Sequence, residues 1–232
     1  MTAHTAHIDR NDSTHGSPQD ALRTFWGQRY AAPGYAYGTE PNAFLVQHLP
    51  ALPALPTGAR VLCLADGEGR NGVWLAQQGY QVTSLDIAPE GCAKARALAQ
   101  ERQVALTVLA ADVTQHDLGD AAWDAIVSIF LHLPPGARRR LHQSVCKALR
   151  PGGFFLWEAY APAQLGQTTG GPQTAALLPP LADVVHDFAD APCDIRHQWA
   201  GWREVQEGAL HSGQGAVTQL IVQRHCIRSE PS

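Results

Sequence analysis

The sequence predicts an α/β protein with a doubly wound, mostly parallel seven-stranded sheet that ends in an antiparallel C-terminal β-hairpin. Three observations predict it. Between Arg60 and Tyr160, short apolar runs alternate with segments of helical period. Those runs are nearly continuous rather than polar on every second residue, as expected of strands covered by helices on both faces. Near the C-terminus two long polar-apolar segments, IRHQWAGWREVQEG and AVTQLIVQRH, flank ALHSGQG, which reads as a hairpin connection.

The elements follow in order. Residues 1–20, MTAHTAHIDRNDSTHGSPQD, are polar and without period and read as a disordered tail. Residues 21–232 read as a single domain, whose first part, 21–58, supplies helices and a lid. There ALRTFWGQRY has helical period, AAPGYAYGTEPN is irregular, and FLVQHLPALPAL is a helix capped by Thr39 or Asn42 and ended by Pro50, Pro53 and Pro56. RVLCLA (60–65) is the first strand, and residues 71–78 a short helix closed by Gly79. YQVTSLD (80–86) is the second strand, and PEGCAKARALAQER (89–102) a helix with proline near its first turn. VALTVLAAD (104–112) and WDAIVSIF (123–130) are the third and fourth strands. PPGARRRLHQSVCKALR (134–150) is a helix stopped by Pro151, Gly152 and Gly153, GFFLWEAY (153–160) the fifth strand, and 178–188 a short helix.

A chain of 232 residues that is 45% hydrophobic can bury one substantial core. Its net charge of −4, with two lysines, supplies no field to attract a polyanion, so nucleic acid is excluded as an expected partner. The basic run Arg138 to Arg140 reads as a solvated helix face. No signal-peptide core and no apolar run near ~18 residues is present, so the expected setting is cytoplasmic, without a membrane. Five scattered cysteines form no CxxC pair; neither a disulfide framework nor a metal site is expected, and Cys63 reads as a small buried residue. The expected partner is a small molecule, and the chain a monomer or homodimer.

Chemistry concentrates in ADGEGRNG (65–72), which joins the first strand to a helix. Gly67, Gly69 and Gly72 have the GxGxxG spacing of a dinucleotide-binding turn, a spacing that a tight turn needing positive φ also satisfies. Asp86 ends the second strand, where a carboxylate can accept both hydroxyls of a ribose, and Asp112 ends the third, where it can receive an adenine amine. An adenosine can therefore lie across the strand tips. A pyrophosphate beside Asp66 and Glu68 would meet like charge, a penalty on the order of 1 kcal/mol or more. S-adenosyl-L-methionine carries a sulfonium and no phosphate, and Arg70 at the helix start offers a partner for its carboxylate. Gly72 reads as a close helix-to-strand contact only.

YAYGTEPNAFL (35–45), VLCLADGEGRNGVWLAQQGYQVTSLDIAPEGCAKA (61–95), WDAIVSIFLHLPP (123–135), LRPGGFFLWEAY (149–160) and EGALHSGQGAVTQLIVQR (207–224) together resemble the class I S-adenosylmethionine-dependent methyltransferases, in the TehB-like branch related to thiopurine methyltransferase. NAD-binding Rossmann domains do not generally show the LRPGG turn or the terminal hairpin. The chain departs from the family at Cys63 and Ala65, where an acid and a glycine are usual. The resemblance implies S-adenosyl-L-methionine as cofactor and S-adenosyl-L-homocysteine as product, in the Rossmann-like fold of that family. It implies Asp66, Gly67, Gly69, Arg70 and Asn71 around the methionine portion, Asp86 and Ile87 at the ribose, Asp112 and Val113 at the adenine, and Ser128 and Ile129 under the amino end. Asn71 also fits an ordinary helix-start role.

Methyl transfer is an in-line displacement that needs no covalent residue, only alignment in a closed site. Tyr35 and Tyr37 lie in a loop that can fold over the cofactor as a lid or simply pack. His132, after the fourth strand, is a candidate base for a thiol or hydroxyl, or a structural histidine. Tyr37 and His132 are the candidate catalytic residues, and Tyr35, Glu158, Tyr160, Arg203 and His211 the candidates for the acceptor. Glu207 reads as an exposed strand residue, and Trp199 and Trp202 as packing. The expected reaction is transfer of a methyl group to a small soft nucleophile: a thiol, a thiopurine-like heterocycle, or a tellurium or selenium oxyanion. The alternatives are an NAD-dependent oxidoreductase and a catalytically silent S-adenosylmethionine-binding protein.

Overall fold

A computed structural model describes residues 17–52 and 55–226, so the tail up to residue 16 lies outside it. Helix α1 spans Pro18–Tyr30 and begins three residues before the expected start. The cause is local: Ser17 Oγ accepts from Asp20 N at 3.1 Å while Asp20 Oδ2 accepts from Ser17 N at 3.1 Å, a capping box followed at once by proline. Helix α2 (Ala43–His48) is capped by Asn42, whose Oδ1 accepts from Leu45 N at 3.0 Å, and a short 3₁₀ turn over Leu49–Ala51 follows it.

The remaining elements are β1 (Arg60–Leu64), α3 (Arg70–Gln77), β2 (Gln81–Asp86), α4 (Pro89–Glu101), β3 (Thr107–Ala110), β4 (Trp123–Ile129), α5 (Pro135–Ala148), β5 (Leu149–Tyr160), α6 (Leu181–His186), β6 (Cys193–Gln206) and β7 (Ser212–Arg224). They build a seven-stranded sheet of order β3-β2-β1-β4-β5-β7-β6. The first five are parallel, and β7 runs antiparallel between β5 and β6. Strand β3 is shorter than expected at both ends: Val104 N donates back to Ala99 O of α4 at 3.0 Å, and Asp112 leaves the ladder for a turn, accepting from Thr114 N at 2.8 Å. The expected helix at 178–188 shortens to α6, preceded by Pro179 and Pro180.

Alternation along β1 sends Val61 and Cys63 into one buried layer, with Phe44, Leu45 and Leu75, and Leu62 and Leu64 into the other, with Phe155 and Trp157. The run Arg138 to Arg140 does not form a uniformly solvated face. Arg138 is buried, pairing through Nε with Asp187 Oδ2 at 2.6 Å, and His142 Nδ1 reaches the same oxygen at 2.9 Å. One helical turn separates these two residues, so they share the inward face of α5. No helix among the described residues is long and apolar enough to cross a membrane.

From β1 the sheet is wound outward through β2 and β3 on one side and through β4 and β5 on the other, so the direction of winding reverses between β1 and β4. In such sheets ligands bind outside the carboxyl ends of the strands at that reversal.

Candidate active site

A cavity of about 580 Å³ lies at that reversal, floored by residues that follow β1, β2 and β4 and by the turn after β3, and roofed by α1. Asp66, Gly67, Arg70, Asn71, Asp86, Ile87, Asp112, Val113 and Ile129 line it. Gly67 (φ 59°) and Gly69 (φ 89°) bend the turn through left-handed backbone. A Cβ on Gly67 would stand 2.6 Å from Tyr30 Oη, and one on Gly69 2.6 Å from Ala95 Cβ. Gly69 thus sets the packing of α3 on α4 and does not itself line the cavity.

Asp86 is 4% exposed, and each of its oxygens takes one backbone N–H: Oδ2 from Gly67 at 2.8 Å, Oδ1 from Ala88 at 2.9 Å. Burial pushes its pKa up, against these hydrogen bonds. Asp66 accepts from Ser84 Oγ at 2.8 Å and from Gly72 N at 3.2 Å, and burial pushes its pKa to about 7. A Cβ on Gly72 would lie 2.5 Å from Asp66 Oδ2, so Gly72 is more than a close helix-to-strand contact: it makes room for this buried acid.

Two expectations about charge are corrected. Glu68, the acid taken to favour a cationic ligand, is already neutralised: Oε1 pairs with Lys94 Nζ at 2.8 Å, and Oε2 accepts from Ala36 N at 2.7 Å. It fastens the 31–42 loop to the glycine turn. Arg70, expected to meet a ligand carboxylate, meets Glu207 Oε2 at 2.5 Å instead. Glu207 is therefore not an exposed strand residue; it is 4% exposed and also takes Asn42 Nδ2 and Arg203 Nη2, each at 2.9 Å. Burial raises its pKa, but Arg70 and Arg203 hold it below the usual carboxylate range.

Glu158 closes the same network, accepting from Asn42 Nδ2 at 2.8 Å, Arg203 Nε at 3.0 Å and Gln219 Nε2 at 2.5 Å. Neither Glu158 nor Arg203 lines the cavity, so these candidates for the acceptor serve the fold. Asn71 accepts from Asn42 N through Oδ1 at 2.9 Å, tying α3 to α2. Ser128 lies in β4 with its Oγ buried and without a partner among the described residues, and it does not reach the cavity wall.

The other end of the cavity is aromatic. Phe130, in left-handed backbone (φ 55°), stacks on Tyr160 at 4.6 Å and meets His211 edge-on at 4.8 Å. A non-glycine residue held there is a strained position of the kind found at ligand sites. His211 also lies 4.5 Å from the Tyr37 ring. Tyr160 itself is fully buried behind Phe130, its hydroxyl donating to Thr169 O at 3.1 Å.

His132 Nδ1 lies 3.0 Å from Leu177 O, so that nitrogen carries the proton. Burial lowers the His132 pKa to about 4 and that of His211 to about 3. Both rings are neutral at pH 7, and His132 is a far weaker base than its sequence position suggested. Tyr37 Oη accepts from Arg29 Nη1 at 2.7 Å; Tyr35 lies outside the cavity, its ring 5.8 Å from Lys94 Nζ. Trp199 and Trp202 are 38% and 50% exposed, so they do not pack in the core.

Sequence reasoning missed Trp26, Arg29 and Tyr30 on α1 as cavity residues, and it read Asn42 as a helix cap without its buried links to Glu158 and Glu207. The α1 residues have i, i+3 and i, i+4 spacing, a legible helical face, but nothing local says that the face covers strand tips.

The comparisons agree with this architecture. Residues 61–153 match the family model described as a methyltransferase domain. An uncharacterized methyltransferase of Synechocystis sp. is 31% identical over 104 residues, which are 44% of this chain and 47% of that protein, so the match spans about half the length of this curated relative. Among solved structures, the protein studied for conversion of a disulfide bond into a thioacetal group in echinomycin biosynthesis has TM-score 0.69 at 18% identity, over 91% of this chain and 93% of its own. Magnesium protoporphyrin IX methyltransferase of Synechocystis, with bound S-adenosylhomocysteine, has TM-score 0.63 at 18% identity, over 89% and 99%. TehB of Haemophilus influenzae has TM-score 0.63 at 14% identity, over 87% and 66%. At these identities the three structures share the fold.

Proposed function

We propose, from the premise that this chain carries a class I methyltransferase domain, that it transfers a methyl group from S-adenosyl-L-methionine to a small soft nucleophile, releasing S-adenosyl-L-homocysteine. The observation that carries the reading is Asp86: a buried carboxylate whose oxygens are fixed by backbone N–H groups yet face a cavity, each with a further lone pair for a ribose hydroxyl. The residues fit the nucleoside. Asp112 spends Oδ1 on Thr114, and Oδ2 has no partner among the described residues, leaving it for an adenine amine. Glycine at position 67 leaves room for the Tyr30 hydroxyl, which a Cβ would meet at 2.6 Å, so that α1 closes directly on the turn.

Bound there, S-adenosylmethionine supplies an electrophilic methyl group on a sulfonium. The chain supplies alignment and dryness: α1 and the 31–42 loop cover the cavity, and Phe130, Tyr37 and His211 form its far wall. With His132 and His211 both weak bases, neither ring suits the role of general base, and an acceptor that ionises by itself fits the cavity best. That favours thiols and thiopurine-like heterocycles, whose conjugate bases are populated near neutral pH, over alcohols. Tyr37, burial having raised its pKa, keeps a phenolic proton to donate.

Calorimetric titration with S-adenosylmethionine and S-adenosylhomocysteine, followed by mass spectrometry of a panel of thiols, thiopurines and tellurium or selenium oxyanions, tests this. Micromolar binding with methylation of a thiol or thiopurine is expected. Absence of binding overturns the reading, and binding without transfer to any member leaves a silent S-adenosylmethionine-binding protein in its place.

A further inference from the structure

We propose that Cys146 and Cys193 form a peroxide-reactive dithiol site that closes to a reversible disulfide, with Cys193 the attacking sulfur and Cys146 the resolving one. The site lies away from the cavity at the strand tips and stands apart from the methyltransferase reading. Cys146 is on the last turn of α5 and Cys193 opens β6, 47 positions later, yet their sulfurs are 3.0 Å apart. That is inside ordinary sulfur contact and about 1 Å from the ~2.0 Å of a disulfide bond. Cys193 follows a short turn in which Ala191 N donates to Phe188 O at 3.0 Å and Cys193 N to Ala191 O at 2.8 Å. It is half-buried at the edge of the sheet, so a small rotation there closes the gap. Cys63 and Cys92, by contrast, are buried without a sulfur partner among the described residues, and burial raises the pKa of both thiols, that of Cys92 to about 11.

Access and charge are present at the same place. A cleft of about 370 Å³ opens there, lined by Cys146, Lys147, Asp190 and Arg224 among others. Arg224 lies opposite Cys193 in the β6–β7 ladder, and its Nη1 donates to Lys147 O at 2.7 Å, so one guanidinium spans from the strand of one cysteine to the helix of the other. The Cys146 thiol, and then Arg224, hold the Cys193 pKa below the usual thiol range against burial and Asp194. The same sulfur contact, with burial, pushes the Cys146 thiol up. A thiolate beside a thiol is the division that attack and resolution require.

The Cys193 thiolate attacks one oxygen of hydrogen peroxide: the S–O bond forms, the O–O bond breaks, and hydroxide leaves and is protonated to water. Cys146 then attacks the sulfenic sulfur: the S–S bond forms, the S–O bond breaks, and the hydroxyl departs as water with the Cys146 proton. Two thiols lose two electrons and two protons, and one peroxide becomes two waters. Two equivalents of a small thiol reverse the closure by exchange, leaving as their own disulfide.

The test treats the full chain with stoichiometric hydrogen peroxide at pH 7, alkylates the remaining thiols under denaturing conditions, and maps tryptic peptides without reduction. Expected are the loss of two of the five thiols and a linked pair of peptides, residues 141–147 with the peptide ending at Arg196, that separates on reduction. Cys193→Ser is expected to abolish the link. Cys146→Ala is expected to abolish it too, while leaving on Cys193 a sulfenic acid that dimedone traps. The proposal is overturned if both cysteines stay open to alkylation after peroxide, or if Cys193 links to Cys226 instead. It is overturned equally if Cys193 oxidises to the sulfinic acid while Cys146 remains a free thiol.

Discussion

Asp86 and Glu158 both lie in parallel strands of one sheet and both are buried, at 4% and 0% exposure, yet they are held in opposite ways. Asp86 takes its protein hydrogen bonds from backbone N–H groups and faces the cavity. Glu158 takes its own from the side chains of Asn42, Arg203 and Gln219, and faces only protein. A carboxylate held by amides keeps its charge for a ligand, whereas one matched by a guanidinium has none left to offer. The partner of a buried acid, more than its burial or its place on a strand, separates binding groups from structural ones.

The largest effect should come from the matched side. Glu207→Leu strands the buried Arg70 without an acid and leaves Arg203 with Glu158 alone, and is expected to cost about 3–5 kcal/mol in urea unfolding. A loss under ~1 kcal/mol would mean that the network is solvated and the contrast with Asp86 unfounded. Asp86→Asn should behave the other way. Burial raises the Asp86 pKa, which favours removing the charge, but an amide leaves one of the two backbone N–H groups without its acceptor, so the cost in stability is expected to be about 1 kcal/mol, well below that of Glu207→Leu. S-adenosylhomocysteine affinity should fall about 10- to 100-fold by titration, the scale of hydrogen bonds to a charged group. Loss of stability with affinity intact would reverse the two roles.

The legibility of the sequence divides along the same line. The alternation of strands and helices, the glycine turn and the acids at the ends of the second and third strands are local facts: apolar runs, a GxGxxG spacing, one acid at each strand end. The pairing of Arg70 with Glu207 joins residues 137 positions apart, and that of Glu158 with Asn42 residues 116 apart, so no local pattern could show that these charges are spent on each other. Glu68 misled for the same reason. Its acidity is written in the turn, but Lys94, which cancels it, sits on α4. The capping box at Ser17 was legible and was overlooked inside a polar tail.

A smaller effect distinguishes the two ends of the cavity by pH. Burial lowers the His211 pKa from 6.5 to about 3 and the His132 pKa from 6.5 to about 4. The folded state therefore binds fewer protons than the unfolded chain between those values. Their contribution to stability is full above pH 6.5 and is lost as the pH falls toward 4 and below. Asp66 runs oppositely: with its pKa raised from 3.8 to about 7, its burden is absent below pH 3.8 and complete above 7. Between pH 7 and 5, His211→Phe should lose less stability than the unsubstituted protein, and Asp66→Asn should lose more. Each difference should be on the order of 1–2 kcal/mol by denaturant unfolding at the two pH values. Parallel curves for all three proteins would mean that neither end is desolvated.

The smallest effect is expected outside both regions. Trp202 sits on β6, the edge strand, at 50% exposure, and lines no part of the cavity, although its type and strand position read as packing. Trp202→Ser should therefore change unfolding free energy by no more than about 0.5 kcal/mol, the range for surface sites, and leave S-adenosylhomocysteine affinity unaltered. The strand is held from its other side: β7 pairs with it along nearly its whole length, from Cys193 with Arg224 to Gln206 with Ser212. Thermal unfolding of the single variant, read beside Glu207→Leu one residue past the strand, measures the two roles along one stretch of chain. A Trp202 loss approaching that of Glu207 would show that the outer face of β6 is covered in solution, and the edge would then belong with the matched, structural side of the molecule.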